Sequence, residues 1–235
     1  MSSKKKIIFK QKYHHKKHIL RFPVFLVYQK LFDYYGPQNW WPAESDFEVI
    51  VGAVLTQNTA WRNVERAIEN LKAYNLLNPK NLWTISTSQL YQLIRPSGFY
   101  RIKAKRLKAL LDFIIKNYAG NIENLRKQKP SVLRQELLAI SGIGDETADS
   151  ILLYALNKPV FVVDTYTRRV FSRHKFLDNK ATYADIQKFF VAHLPKSVKL
   201  YQEYHALIVK LAKDFCRTKP NCTYCPLNSN IFYAK

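Results

Sequence analysis

The sequence predicts an all-α protein, and three observations carry that prediction. Apolar residues recur at three- and four-residue intervals through most of the chain, as in Ala104, Leu107, Leu110, Leu111 and Ile114. The segments between these runs are short and hold proline, glycine or serine, the residues that start and stop helices. Only Val160-Phe-Val-Val163 resembles a strand, and few other positions favour sheet pairing. With 47% hydrophobic and 14% aromatic residues over 235 positions, the chain has enough apolar surface for a substantial core.

Residues 1–18 form a basic tail, in which Lys4 to Lys17 holds seven lysines, two histidines and no acid. Such a tail either trails along a polyanion or merely solubilises. Phe47 to Leu55 is apolar nearly all round, as a central buried helix is. Val64 to Leu71 keeps helical spacing, and Ser86 to Leu93 is a short helix begun by serine and stopped before Pro96. Lys103 to Tyr118 is strongly amphipathic with a lysine-rich outer face. Ser131 to Ile140 and Asp145 to Leu156 flank a glycine turn. The strand-like run beyond Pro159 leads into another helix, and Tyr183 to Leu194 and Val198 to Phe215 complete the chain.

Thirty-eight Lys and Arg against seventeen Asp and Glu give a formal charge of +21, which points to an anionic partner, nucleic acid before an acidic membrane surface. The longest apolar runs, such as Val49 to Leu55, are too short to span a bilayer. The three cysteines are crowded between Cys216 and Cys225 and form no disulfide framework, so the expected compartment is a reducing cytoplasm.

The densest signal is Leu138-Ala-Ile-Ser-Gly-Ile-Gly-Asp-Glu-Thr-Ala-Asp-Ser-Ile-Leu152, followed by Phe161-Val-Val-Asp-Thr165. Gly142 and Gly144 permit a helix to stop, turn and restart, leaving N–H groups that suit a phosphate oxygen. By itself, a Gly-x-Gly turn serves plain helix packing equally well. With Asp164 twenty residues beyond Gly144, the stretch resembles the helix-hairpin-helix and trailing aspartate of the endonuclease III superfamily of DNA glycosylases. The resemblance runs from about Phe22 to Cys225. It implies two helical domains with a DNA cleft between them: a six-helix barrel over 45–157, with the helix-hairpin-helix at about 134–156, and a discontinuous domain of 19–44 with 158–235.

The resemblance also implies roles. Asp164 would stabilise positive charge on the deoxyribose as the base departs, a role compatible with capping the next helix. Gln57, in Phe47-Glu-Val-Ile-Val-Gly-Ala-Val-Leu-Thr-Gln-Asn-Thr59, would fill the space left by a flipped base; its alternative is a turn hydrogen bond. Gly142, Gly144 and Thr147 would sit at the phosphate grip. Lys103 and Lys105, in Pro96-Ser-Gly-Phe-Tyr-Arg-Ile-Lys-Ala-Lys-Arg106, are expected as surface charges meeting the DNA backbone. Bifunctional relatives carry a Schiff-base lysine two residues after the second hairpin glycine. Here that residue is Glu146, which cannot form an imine, so a monofunctional enzyme is expected.

Trp40-Trp41-Pro42-Ala-Glu44 and Trp61, with Pro96-Ser-Gly-Phe-Tyr100, are most similar to the 3-methyladenine DNA glycosylase III branch. By that resemblance Trp40, Trp41 and Trp61 would hold a cationic alkylated purine, although tryptophan pairs are also common in cores. The branch places a lysine where this chain has Leu207. Cys216-x5-Cys222-x2-Cys225 resembles the first three ligands of the family's [4Fe–4S] cluster, and Ile231 stands where a fourth cysteine would be. A cluster with an unusual fourth ligand and a metal-free remnant both remain open, with zinc through His205 a weaker third.

The expected function is therefore a base-excision-repair N-glycosylase acting on an alkylated purine such as 3-methyladenine. The alternatives are a bifunctional glycosylase/lyase on oxidised pyrimidines and a non-catalytic structure-specific DNA-binding protein. The expected partner is double-stranded DNA holding a damaged base, met by a monomer without membrane contact, in the cytoplasm and at a bacterial-type nucleoid when acting.

Overall fold

The computed structural model describes residues 23–228, so the basic tail (1–18) and Ile231 lie outside the described residues. Those residues form twelve α-helices and no β-strand. The chain divides into two compact units, one of residues up to 38 and from 163 onward, the other of residues 39–162.

The first unit opens with α1 (Pro23–Tyr35), which the sequence analysis left unassigned. The chain then enters the 39–162 unit, whose centre is α2 (Asp46–Leu55). Ser45 starts this helix by accepting from the Glu48 N–H at 3.1 Å, and every residue from Phe47 to Leu55 is buried. Around it come α3 (Trp61–Ala73), α4 (Pro79–Thr84), α5 (Thr87–Ile94) and α6 (Tyr100–Tyr118). A capping box between Ser86 and Gln89 fixes the start of α5. Three carbonyls at the end of α4, those of Leu82, Trp83 and Ile85, accept from Lys108 Nζ and so are not left as orphans. In α6 the stripe Ala104, Leu107, Leu110, Leu111 and Ile114 is fully buried, each leucine contributing about 1.5–3 kcal/mol by its transfer from water.

Next, α7 (Ile122–Lys127) and α8 (Pro130–Leu138) lead to the glycine turn and α9 (Asp145–Ser150). Arg134 on α8 staples the two hairpin helices: its Nε and Nη2 donate to the buried Asp149 carboxylate at 2.6 and 3.0 Å, and Nη2 also reaches Asp145 at 2.7 Å. The expected continuous helix from Asp145 to Leu156 changes character at Ile151–Ala155, where a π-helical turn closes with the Leu156 N–H on the Ile151 carbonyl at 3.1 Å. The strand expected at Val160–Val163 is absent. That run belongs to no helix or strand, and its Phe161, Val162 and Val163 are buried.

Back in the first unit, α10 (Thr165–Arg173), α11 (Tyr183–His193) and α12 (Val198–Asp214) pack with α1. Their core is aromatic: Tyr204 meets Tyr28, Phe190 and Phe171 edge-on at centroid distances of 5.3, 5.7 and 6.3 Å. The Tyr204 hydroxyl donates to the Val24 carbonyl at 2.6 Å, tying α12 to α1 across 180 residues of sequence. The observed boundaries fall at 38/39 and 162/163 rather than at 44/45 and 157/158. The Trp40–Glu44 stretch goes with the 39–162 unit because its side chains are bonded there, as described next.

Candidate functional site

Four local arrangements hold the residues singled out in the sequence, two in the 39–162 unit and two, around Asp164 and around the cysteines, in the other. The first is the hairpin. Gly142 has φ +85°, which a side chain disfavours, and a Cβ there would lie 2.5 and 2.7 Å from Nε and Cδ of Arg106. Gly144 differs: its backbone is extended (φ −95°, ψ 179°), it is the residue before α9, and an added Cβ would meet nothing within 4 Å. The protein's own packing therefore demands glycine at 142 and not at 144.

Gln57 is bonded to this hairpin. Its Nε2 donates to the Gly142 carbonyl at 3.1 Å and to Thr147 Oγ1 at 2.9 Å, while its Oε1 accepts from Arg106 Nη1 at 2.6 Å. The side chain thus joins the end of α2 to the hairpin. Thr147 is buried with its hydroxyl engaged by Gln57, and Lys105 is exposed.

Lys103 requires correction: expected as a surface charge, it is 1% exposed, and its ammonium donates to the carbonyls of Leu55 at 2.8 Å and Ser97 at 2.6 Å. Burial, and secondarily the charge of Arg106, pushes its pKa down to about 8. A phosphate cannot reach that ammonium. The amphipathic period of α6 puts position 103 on the same face as Leu107 and Leu110, a signal that the run of lysines around it obscured.

The second arrangement is aromatic. Trp61 lies edge-on to Trp40 and Trp41 at 4.7 and 5.4 Å, Trp40 and Trp41 are 5.2 Å apart, and Tyr154 of the π turn meets Trp41 at 5.4 Å. All three indoles are part-exposed, so this is not a buried core cluster. The loop bearing Trp40 and Trp41 is locked, and Trp61 opens α3. The Glu44 N–H donates to the buried Glu48 carboxylate at 3.0 Å, and Lys72 bridges Glu44 and Glu48 at 2.8 and 3.0 Å. Trp61 Nε1 donates to Glu65 at 2.7 Å, and Gly52 leaves room for the Trp41 ring, whose Cζ2 a Cβ would approach to 3.1 Å. Tyr154 was not singled out in the sequence. Its signal is the i to i+4 spacing from the buried Ser150 on the helix after the hairpin.

The third arrangement surrounds Asp164, buried at the start of α10. Its Oδ1 accepts from the Thr167 N–H at 2.6 Å, so it does cap that helix, and its Oδ2 lies 3.4 Å from His205 Nε2 on α12. Just before it, the Val163 N–H donates to the Tyr183 hydroxyl at 3.2 Å. Burial alone would raise the carboxyl pKa, but contacts with His205 and then Thr167 outweigh it, and the group is held below its ordinary value. The arrangement is a fixed buried carboxylate that remains ionised. Leu207, where the branch has a lysine, is fully buried in α12.

The cysteines do not fit a cluster. Among the described residues no group of three or more His, Cys, Asp or Glu side chains is arranged to hold a metal. The Arg173 guanidinium donates to Cys216 Sγ at 3.3 Å and to the carbonyls of Arg217 and Thr218 at 2.6 and 3.1 Å. Burial, and secondarily the nearby Cys216 and Cys222, pushes the Cys225 thiol above its ordinary value. Cys216, Cys222 and Cys225 are free thiols, and His205, the other ligand considered, is engaged with Asp164.

A two-unit helical fold with a Gly-x-Gly hairpin defines a helix-hairpin-helix protein. The chain belongs to the HhH-GPD superfamily of base-excision DNA repair proteins, whose family pattern matches residues 51–196, and it is a DNA glycosylase of that family. A Methanocaldococcus jannaschii protein with the provisional name DNA repair glycosylase is 53% identical over 206 residues, covering 87% of this chain and 93% of its own. The H. pylori 3-methyladenine DNA glycosylase, solved with 1,N6-ethenoadenine bound, is 34% identical with a TM-score of 0.71, covering 82% of this chain and 98% of that one. Endonuclease III in a trapped covalent DNA complex shares the fold at 23% identity and a TM-score of 0.74, covering 87% and 92%. No helix among the described residues is long and apolar enough to cross a membrane.

Proposed function

We propose that this protein is a monofunctional DNA N-glycosylase that excises an alkylated purine such as 3-methyladenine. The observation that carries the proposal is the part-exposed triad of Trp40 and Trp41, on a locked loop, with Trp61 at the start of α3. Electron-rich indole faces attract a cationic ring, and N-alkylation gives adenine both a positive charge and a weakened glycosidic bond. The similarity to the H. pylori glycosylase, whose ligand is a modified adenine, points the same way.

In the proposed reaction the hairpin around Gly142 and Gly144, with Lys105, meets the phosphate backbone without reading sequence. Gln57 exchanges its bonds at Gly142 and Thr147 for the space vacated by the flipped base. Phe99, 68% exposed at a left-handed residue (φ 45°), offers an aromatic face to an unstacked neighbour.

The bond between C1′ and the purine nitrogen breaks with its electron pair going to the base, which neutralises the alkylated ring. The Asp164 carboxylate opposes the positive charge left on the sugar, water adds at C1′ and its proton passes to solvent. Glu146 occupies the place of the lyase amine and leaves the abasic site intact.

A base-release screen over duplexes with methylated, deaminated and oxidised bases tests the substrate. Release confined to oxidised pyrimidines would overturn it. Borohydride treatment on an abasic duplex tests the reaction type, and a covalent adduct through lysine would overturn the monofunctional assignment.

A further inference from the structure

Lys103 is a buried cation that neither a phosphate nor a base can touch. Burying an ammonium is unfavourable unless its donors are met, and an apolar residue at such a position often serves stability as well or better. The carbonyls it meets are specific. Leu55 ends α2 two residues before Gln57, and Ser97 ends the 3-10 turn (Arg95–Ser97) two residues before Phe99.

Beyond each carbonyl the chain leaves the core as a tip with a left-handed residue, Asn58 (φ 51°) in one and Phe99 (φ 45°) in the other. Ile102, 53% exposed, extends the apolar surface beside Phe99. One ammonium therefore joins the bases of a polar tip and an aromatic tip. Three residues on, Arg106 holds the Gln57 side chain from the same helix.

We propose that Lys103 is a positioning residue for base flipping: it holds the Gln57 and Phe99 tips at one spacing, so that they enter the duplex as a unit. The inference rests on the glycosylase function proposed above. A tip misplaced by an ångström loses much of its rate contribution, because insertion competes with restacking of the base.

The test is a double-mutant cycle read by single-turnover base release from methylated duplex DNA and by fluorescence of 2-aminopurine placed beside the lesion. Lys103→Met should slow release about 10-fold and delay the fluorescence rise, because insertion geometry is lost. Affinity for undamaged duplex, set by phosphate contacts, should stay within about 2-fold. In a Gln57→Ala background the same substitution should cost less than about 3-fold, since the tip it positions is already gone.

Equal factors in both backgrounds would overturn the proposal and leave Lys103 a structural residue. If Lys103→Met does not fold, Lys103→Gln, which is uncharged and too short to reach both carbonyls as the ammonium does, carries the same cycle. Absence of base release by the wild-type protein would sink the glycosylase proposal, and this one with it. Release by the wild type with additive variants would sink this one alone.

Discussion

The Arg106 side chain lies directly against the backbone of Gly142, where a Cβ would clash with Nε at 2.5 Å, and from there it donates to Gln57. Any side chain at 142 must displace Arg106 as well as strain a φ of +85°. Gly142→Ala is therefore expected to lower stability by about 1–3 kcal/mol and to release Gln57 from its seat. Gly144→Ala, with open space around its Cβ, should change stability by no more than about 0.5 kcal/mol yet weaken duplex binding. Thermal melting and duplex titration of the pair check this, and equal destabilisation of both would contradict it.

Asp164→Asn keeps a capping oxygen but removes the charge. Base release is expected to fall by about 10²–10³, while affinity for damaged duplex holds. The pH dependence follows from a carboxyl held below its ordinary 3.8. Such a group contributes stability that is fully present above the unfolded pKa and is lost as pH falls through the folded one. The stability difference between wild type and Asp164→Asn should thus be constant from neutral pH down to about pH 5 and shrink only below that. A difference that vanished near pH 6 would assign the effect to another group.

Trp40→Leu retains bulk and loses the indole face. A cation–π contact of about 0.5–2 kcal/mol predicts a fall of roughly 2- to 30-fold in kcat/KM for a cationic methylated base. A neutral modified adenine should lose less. Parallel kinetics on the two lesions decide it, and an equal loss on both would mean that the ring acts only by stacking.

Arg173 ties the loop that bears Cys216 by three hydrogen bonds. Arg173→Ala should expose residues 217–224 to limited proteolysis, and a metal chelator should leave the wild-type digestion pattern unchanged. A chelator-sensitive pattern, or the visible absorbance of an iron–sulfur centre, would place a metal there after all.

The sequence showed the helices with strong apolar periods and the glycine hairpin, because 3.6-residue spacing and chain reversal are local properties. It hid α1, α4 and α7. The last two are only six residues each and depend on Asn caps and, for α4, on Lys108. The place of Asp164 at the start of a helix was legible because its spacing from the hairpin is linear information. Its pairing with His205, forty-one residues on, was not. Lys103 misled for a related reason: composition marks lysine as exposed, and only the tertiary placement of two carbonyls explains its burial. The cysteine spacing looked like a ligand set, yet Arg173, from a different helix, now makes the bonds that organise that loop.

The division of the chain has a consequence for synthesis. Residues 39–162 are continuous and can condense as soon as they leave the ribosome, whereas α1 must wait for α12 across the 180 residues between Val24 and Tyr204. Asp164 and His205 belong to that later unit. A nascent or truncated chain would thus already carry the hairpin and tryptophans before the Asp164–His205 contact is assembled, so that, on the roles proposed above, the surface that meets DNA arises earlier in the life of each molecule than the carboxylate that opposes charge on the sugar.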